Sequence, residues 1–479
     1  MAAQAETAAD SSGETSWWSR RGGGREVAQV SAPLVISSLS WTIMTFVDRM
    51  YLNWWSGEAL AAAFTASVAW WAVVCLPMGL CGYANTFVAQ YYGAKELDKI
   101  GVAVWQAVWV AIVCSPVVLL FIPLAPTFFG LAEHPPQVLA YEIEYFQILL
   151  WGGPPLLIAA AACCFYSGRG ETKVVMLVDA GTALLNVVLD YWWIFGGLGL
   201  KAYGVAGAGW ATVASIWVKA IIYLALMWQR KYAAIYGTHS GLRFDRDLFG
   251  RLFYFGGPSG LQMLLDVAGF TIFTLLVGRL GSVESQATSI AFSVGTLAFM
   301  PIIGIGIGAS ILVGQHLGEN NDHLAARSTY SAAYLAWGYM ALISLLYLFT
   351  PQLLLEGFFA TKQAAESGTE VRELAAHLMK FVAAYNLFDA TFIIFSSAIK
   401  GAGDTRFVFY VSLVLAIALA TLSYQCVEVW QSGLNECWLL ITAWIWIAAI
   451  TFFLRFRQGK WRSMRVIELP AVLHVDAAI

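Results

Sequence analysis

The chain has 479 residues, of which 59% are hydrophobic and only 12% are Asp, Glu, Lys or Arg, and its mean hydropathy is +0.68. Soluble proteins carry roughly 25% charged residues, so ordinary globular packing is excluded and lipid is the solvent this composition suits. A formal net charge of −3 with no basic surface gives nucleic acid nothing to bind.

The first 25 residues, rich in Ala, Ser, Gly and Glu and closing on Arg20, Arg21 and Arg25, read as a flexible tail. Arg20-Arg21 has the look of a twin-Arg signal, yet no short apolar region with a small-residue cleavage site follows it, so no cleaved leader is expected. Twelve apolar stretches come next, at 27–52, 60–91, 101–124, 138–167, 174–197, 204–228, 251–278, 286–316, 325–350, 372–400, 407–428 and 436–457. Each is long enough as a helix to cross ~30 Å of hydrocarbon. Pro77, Pro116, Pro154, Pro155 and Pro301 fall within spans and are candidate bends, which membrane helices tolerate when neighbours satisfy the freed carbonyls.

The basic residues test this count. The N-terminal tail, the even-numbered connections and the C-terminus hold 20 of the 27 Lys and Arg, Lys400 among them, whereas the opposite loops hold five: Lys201, Arg279, Lys362, Arg372 and Lys380. The positive-inside rule then places both termini in the cytoplasm. Cys75, Cys81, Cys114, Cys163 and Cys164 lie inside apolar stretches without the spacing of a zinc site and read as packing. Cys426 and Cys437 flank the last external loop, where a disulfide and simple packing are both open readings.

The chain also matches itself. Pro33, Gly79, Val88, Gln90 and Gly93 pair with Pro258, Gly304, Val313, Gln315 and Gly318 at an offset of 225, and Gly168-Arg169-Gly170-Glu171-Thr172-Lys173 pairs with Gly401-Ala402-Gly403-Asp404-Thr405-Arg406 at an offset of 233. Six spans per repeat make the halves parallel, related by a pseudo-two-fold axis along the membrane normal. The expected architecture is therefore all-α and integral to the membrane: an N-terminal six-helix bundle over 26–228, a polar cytoplasmic hinge over 229–250, a C-terminal six-helix bundle over 251–457 and a cytoplasmic tail over 458–479. The cleft between the halves is the expected substrate path, and their rocking would give alternating access.

From roughly Glu26 to Arg457 the sequence resembles the multidrug and toxic compound extrusion (MATE) transporters. The resemblance rests on Pro33 with Phe46-Val47-Asp48, on Val88-Ala89-Gln90-Tyr91-Tyr92-Gly93, on the paired Gly-x-Gly-[Glu/Asp]-Thr turns, on Asn186-Val187-Val188-Leu189-Asp190-Tyr191 with Ile194-Phe195-Gly196, and on Gly204 to Thr212. It implies cation-coupled export of amphipathic, often cationic, organic compounds by a multi-pass protein of the inner membrane.

A charge at the bilayer centre costs about 3 kcal/mol or more on insertion scales, so each acid inside a span calls for a reason. Asn186 and Asp190 are one helical turn apart on a single face, with Asp179 further along the stripe towards the cytoplasmic end, where it reads as interfacial or structural. Asp48, Asp190 and Thr212 lie at similar depths in the outer half of their spans. Onto Asp48, Asn186, Asp190 and Thr212 the resemblance carries a cation-binding role. Their hard oxygens suit a sodium ion, and two neighbouring carboxylates equally suit a proton; the bland reading is interhelical hydrogen bonding. In the second half Asp266 and Asp389, flanked by Gln262, Tyr385 and Asn386, resemble a substrate or second cation site, although Asp266 stands where one branch of the family has Glu.

Arg49 is expected to snorkel to the external interface, whereas Lys219 is deep enough to pair with an acid of the first bundle; pairing with Asp190 would replace the cation site. The tryptophans, including Trp17, Trp18, Trp54, Trp55, Trp70, Trp71, Trp192 and Trp193, read mostly as interface belts, with some available to line a cleft for flat cations. Gly304, Gly306 and Gly308 follow no strand and read as close helix packing. His134, His239, His316 and His323 fall mainly in loops without metal spacing, so an enzyme is not expected. The sequence-based expectation is a cofactor-free, monomeric antiporter among membrane lipids, driven by H+ or Na+ and exporting organic cations. The alternative is a flippase for lipid-linked precursors, which would need a cavity rich in Arg or Lys.

Overall fold

The computed structural model describes residues 16–131, 134–197, 199, 201–356 and 369–468. Among them, twelve helices are long and apolar enough to cross a bilayer: α1 Gly24–Trp55, α2 Gly57–Gly93, α3 Asp98–Leu119, α4 Pro136–Ser167, α5 Thr172–Phe195, α6 Gly204–Met227, α7 Arg246–Val277, α8 Ser282–Gly318, α9 Asp322–Phe349, α10 Thr369–Ala402, α11 Thr405–Val429 and α12 Leu434–Arg457. Local chemistry fixes several ends. Ser56, Asp245 and Asn321 cap α2, α7 and α9 by accepting from backbone N–H groups of the first turn. Gly170 and Gly403, equivalent in the repeat, turn the chain at φ +82° and +112°, where a side chain would be strained.

The expected proline bends are only partly where breaks occur. Helix α4 is interrupted at Gly152, and Pro154 and Pro155 open its second segment. The break in α2 falls at Tyr83 instead of Pro77, while Pro301 sits within a continuous α8.

Buried apolar side chains fall into two clusters, one drawn mainly from α1–α6 and the other from α7–α12. Packing repeats between them: α1 against α5, α2 against α4 and α4 against α6 are matched by α7 against α11, α8 against α10 and α10 against α12. Across the seam α1 meets α8 and α2 meets α7, and here the two-fold relation holds atom for atom. A Cβ on Gly93 would lie 1.9 Å from the Gln315 carbonyl oxygen, and one on Gly318 would lie 2.2 Å from that of Gln90. Gly304 abuts Val35, as Gly79 abuts Gly260. Gln90 Nε2 donates to the Gly401 carbonyl at 3.1 Å and Gln315 Nε2 to the Gly168 carbonyl at 2.8 Å. These contacts lie in the half of the molecule nearest the chain ends, the terminal face.

The two tails and the expected hinge are docked where they are described. Residues 16–27 cross to the second bundle: Trp17 packs edge-on to Tyr334, Arg21 pairs with Glu319, Ser331 donates to the Gly22 carbonyl, and Val27 joins the second core. In return, the Val466 N–H donates to Gln90 at 2.8 Å, and Val466 and Ile467 are buried in the first core. The 229–250 connection is pinned to α3, with Trp105 and Trp109 donating to the carbonyls of Thr238 and Leu242, and Arg169 lies among Phe165, Tyr232 and Tyr236. It is not a free polar hinge, since Asp245 and Arg246 already belong to the start of α7. Residues 1–15 and 469–479 of the expected tails, and Lys362, lie outside the described residues. Cys426 and Cys437 are buried free thiols with Sγ atoms 3.6 Å apart.

Candidate functional site

Between the bundles is a cavity of about 900 Å3 lined by α1, α2, α7, α8, α10 and α12 together with Tyr145, Leu149, Asn186 and Thr212. Apolar and aromatic side chains form most of its wall, Trp41, Trp70, Trp71, Phe270, Phe292 and Trp444 among them. Trp70 and Trp71 therefore face the cavity and not a lipid belt. Five charged residues line it: Asp48, Arg49, Asp266, Asp389 and Lys400.

All four oxygen-bearing residues expected in the first bundle come together. Asp190 and Asn186 are fully buried on α5, and Asp48 on α1 and Thr212 on α6 are buried as well. Asn186 Nδ2 is 3.5 Å from Asp190 Oδ1 and 3.4 Å from Thr212 Oγ1, both long contacts. Asp48, Asn186 and Thr212 line the same cavity. Among the described residues Asp48 Oδ1, Asn186 Oδ1 and Asp190 Oδ2 are buried with no hydrogen-bond partner. Buried oxygens without partners are costly unless a proton or cation joins them. Among the described residues no group of three or more His, Cys, Asp or Glu is arranged for a metal. The two carboxylates, amide and hydroxyl are the hard donor set of an alkali cation, and would equally hold a proton.

Sequence reasoning missed Tyr145. Its hydroxyl donates to Asp48 Oδ2 at 3.2 Å from α4, and its ring is admitted by Gly209 of α6, where a Cβ would lie 2.9 Å from Ile148 and 3.4 Å from Tyr145. That glycine belongs to the Gly204–Thr212 motif and was the available signal.

Lys219 does not touch Asp190. Its Nζ is 2.7 Å from Asp179 Oδ1, and Asp179 also accepts from Tyr223 at 2.8 Å and from Ser37. The pair makes Asp179 structural and leaves Asp190 to the oxygen cluster. The guanidinium of Arg49 lies 5.1 Å from the centre of the Phe64 ring, and the residue lines the cavity. His316, at the end of the expected eighth span, is buried in the last turn of α8.

The residues expected in the second bundle also meet at the cavity. Gln262 Nε2 donates to Asp266 Oδ2 at 2.7 Å, one turn along α7. Tyr385, Asn386 and Asp389 share the cavity face of α10, although Asn386 turns its amide to Ser344 at 3.1 Å. Asp389 has no hydrogen-bond or ion-pair partner among the described residues. The basic-loop count puts Lys400 at the terminal face; the structure instead brings its Nζ to Gln262 Oε1 at 3.1 Å. Lys400 is three turns along α10 from Asp389 and so on the same face, a spacing that was readable in the sequence.

A sequence model of the MatE family matches residues 33–192 and again 258–424, so its two copies begin on the proline pair that opens the internal repeat. A "Probable multidrug resistance protein NorM" from Shewanella oneidensis is 27% identical over 458 residues, 94% of this chain and 98% of the relative. "Multidrug resistance protein MdtK" from Pectobacterium atrosepticum is 27% identical over 395 residues, covering 81% and 84%. Among solved structures, a MOP superfamily transporter from Pyrococcus furiosus superposes with a TM-score of 0.83 at 19% identity, covering 92% of this chain and 97% of that one. An outward-facing multidrug resistance transporter of the MATE family superposes at 0.82 and 19%, covering 91% and 95%. At such identity these two likenesses speak for the fold alone.

Proposed function

The chain belongs to the MatE family of multidrug-efflux membrane transporters, and on that premise we propose that it is an antiporter exporting amphipathic organic cations in exchange for protons or sodium ions. The observation that carries the reading is the buried oxygen cluster of Asp48, Asn186, Asp190 and Thr212, whose partnerless oxygens open through Asp48 onto the same cavity as Asp266 and Asp389. An ion captured in the cluster and a cation held in the cavity then act on one pair of bundles. Coupling requires that the ion favour one arrangement of the bundles over the other, since equal affinity for both would shift nothing.

The chain-end asymmetry of basic residues supports an inner-membrane orientation with both termini cytoplasmic. Among the described residues every side-chain hydrogen bond across the seam lies towards the terminal face. In that orientation the cytoplasmic side is closed and the arrangement is outward-facing. Aromatic walls suit flat cations through stacking and cation–π contact. A flippase for pyrophosphate-linked lipids gains no support, because acids outnumber bases on the cavity wall.

The test is dye extrusion from energised cells. Asp48→Asn should abolish efflux of a cationic dye while the protein is still made and inserted; efflux at the wild-type rate would remove the cluster from the mechanism.

A further inference from the structure

Lys400 has no task in the exchange described above, yet it is the one ammonium on the cavity wall among the described residues. Its setting is specific. Gln262 accepts from Lys400 Nζ at 3.1 Å through its carbonyl oxygen and donates to Asp266 at 2.7 Å through its amide nitrogen. The amide is thus polarised in one sense, with the ammonium at one end and the carboxylate at the other. Asp389, on the same face of α10 and about 16 Å further along it by helical rise, has no such partner.

We propose that Lys400 is a tethered counter-cation that holds Asp266 through Gln262, leaving Asp389 as the one carboxylate outside the ion cluster that is free to pair with substrate, and making the transporter select singly charged organic cations over doubly charged ones. The inference rests on the organic-cation reading above and deepens it. The charge inventory agrees: Asp48 belongs to the ion cluster of the first bundle, Asp266 has Lys400, and one acid is left over for the substrate. A second positive charge on a substrate would have to displace the Lys400 ammonium from Gln262 and Asp266, or lie unpaired in a wall of apolar side chains. Either outcome penalises the dication, because an uncompensated charge in a low-dielectric cavity is strongly disfavoured.

The experiment compares ethidium with propidium, which share one aromatic body and differ by a second, quaternary ammonium charge. Binding to the purified full-length protein is followed by fluorescence. The wild type should bind ethidium about tenfold more tightly than propidium. Lys400→Met should tighten propidium by about tenfold and change ethidium far less, so that the preference disappears. Lys400→Arg keeps the charge and should keep the preference. Lys400→Met with Asp266→Asn, which removes both charges, should restore it, and this pair also shows that lost preference is not lost fold. An unchanged ratio in Lys400→Met, with ethidium still bound, overturns the inference alone. The same holds if the double variant behaves as Lys400→Met does. Failure of the wild type to bind ethidium overturns the organic-cation reading, and this inference with it.

Discussion

Among the described residues the carboxylate of Asp48 has one hydrogen-bond partner, the Tyr145 hydroxyl 3.2 Å away on α4. A hydrogen bond to a charged group contributes about 1.5–3 kcal/mol when its partner is desolvated. Tyr145→Phe should therefore leave the fold intact, because the ring still fills the space beside Gly209, and should slow dye efflux roughly tenfold; an unaltered initial rate would mean that Asp48 needs no such support. Much of this cluster was legible, since Asn186 and Asp190 are one turn apart and a helix puts such residues on one face. Tyr145 was not, because its contact is between helices and nothing in the spacing along α4 points to Asp48. Lys219 could not be assigned either: Asp179 and Asp190 share a stripe on α5, and only packing of α6 chooses between them. With Lys400, position near a helix end outweighed periodicity, and the periodicity was the better guide.

At the scale of helices, the seam depends on backbone meeting backbone. Gly93 and Gly318 each approach the carbonyl oxygen of the other bundle's glutamine more closely than any side chain allows. Gly318→Leu would drive its side chain into Gln90 and open the terminal face. The expected result is a population shift away from the sealed arrangement. It is measurable as a longer distance between spin labels on Lys95→Cys and Asn320→Cys, the equivalent left-handed residues that follow α2 and α8. An unchanged distance distribution would show that the seam tolerates the bulk. Helix number and extent were readable, as apolar runs need only length to span lipid. The break at Tyr83, which packs closely on Gly256 of α7, was not, because no proline marks it.

For the whole molecule, the repeat is kept at the seam and lost at the sites. Gln90 and Gln315 make matching bonds across the axis, whereas the ion cluster draws on α1, α5 and α6 and the second acidic site on α7 and α10. Under the proposed exchange, the symmetric contacts would let the two bundles rock about one axis, and the asymmetric acids would give ion and substrate different places. The exchanged end segments, 16–27 on the second bundle and 464–468 on the first, add ties that no hydropathy pattern could show, since each consists of a few residues docked far from its sequence neighbours. The account stands or falls on whether the buried acids harness an ion gradient. The direct measurement is extrusion of a cationic dye by the purified protein in liposomes, with pH and sodium gradients imposed separately. The prediction is that one of the two gradients drives the wild type, and that replacing Asp48, Asp190, Asp266 and Asp389 with Asn leaves dye movement indifferent to both. Gradient-driven extrusion at the wild-type rate in that fourfold variant would contradict it.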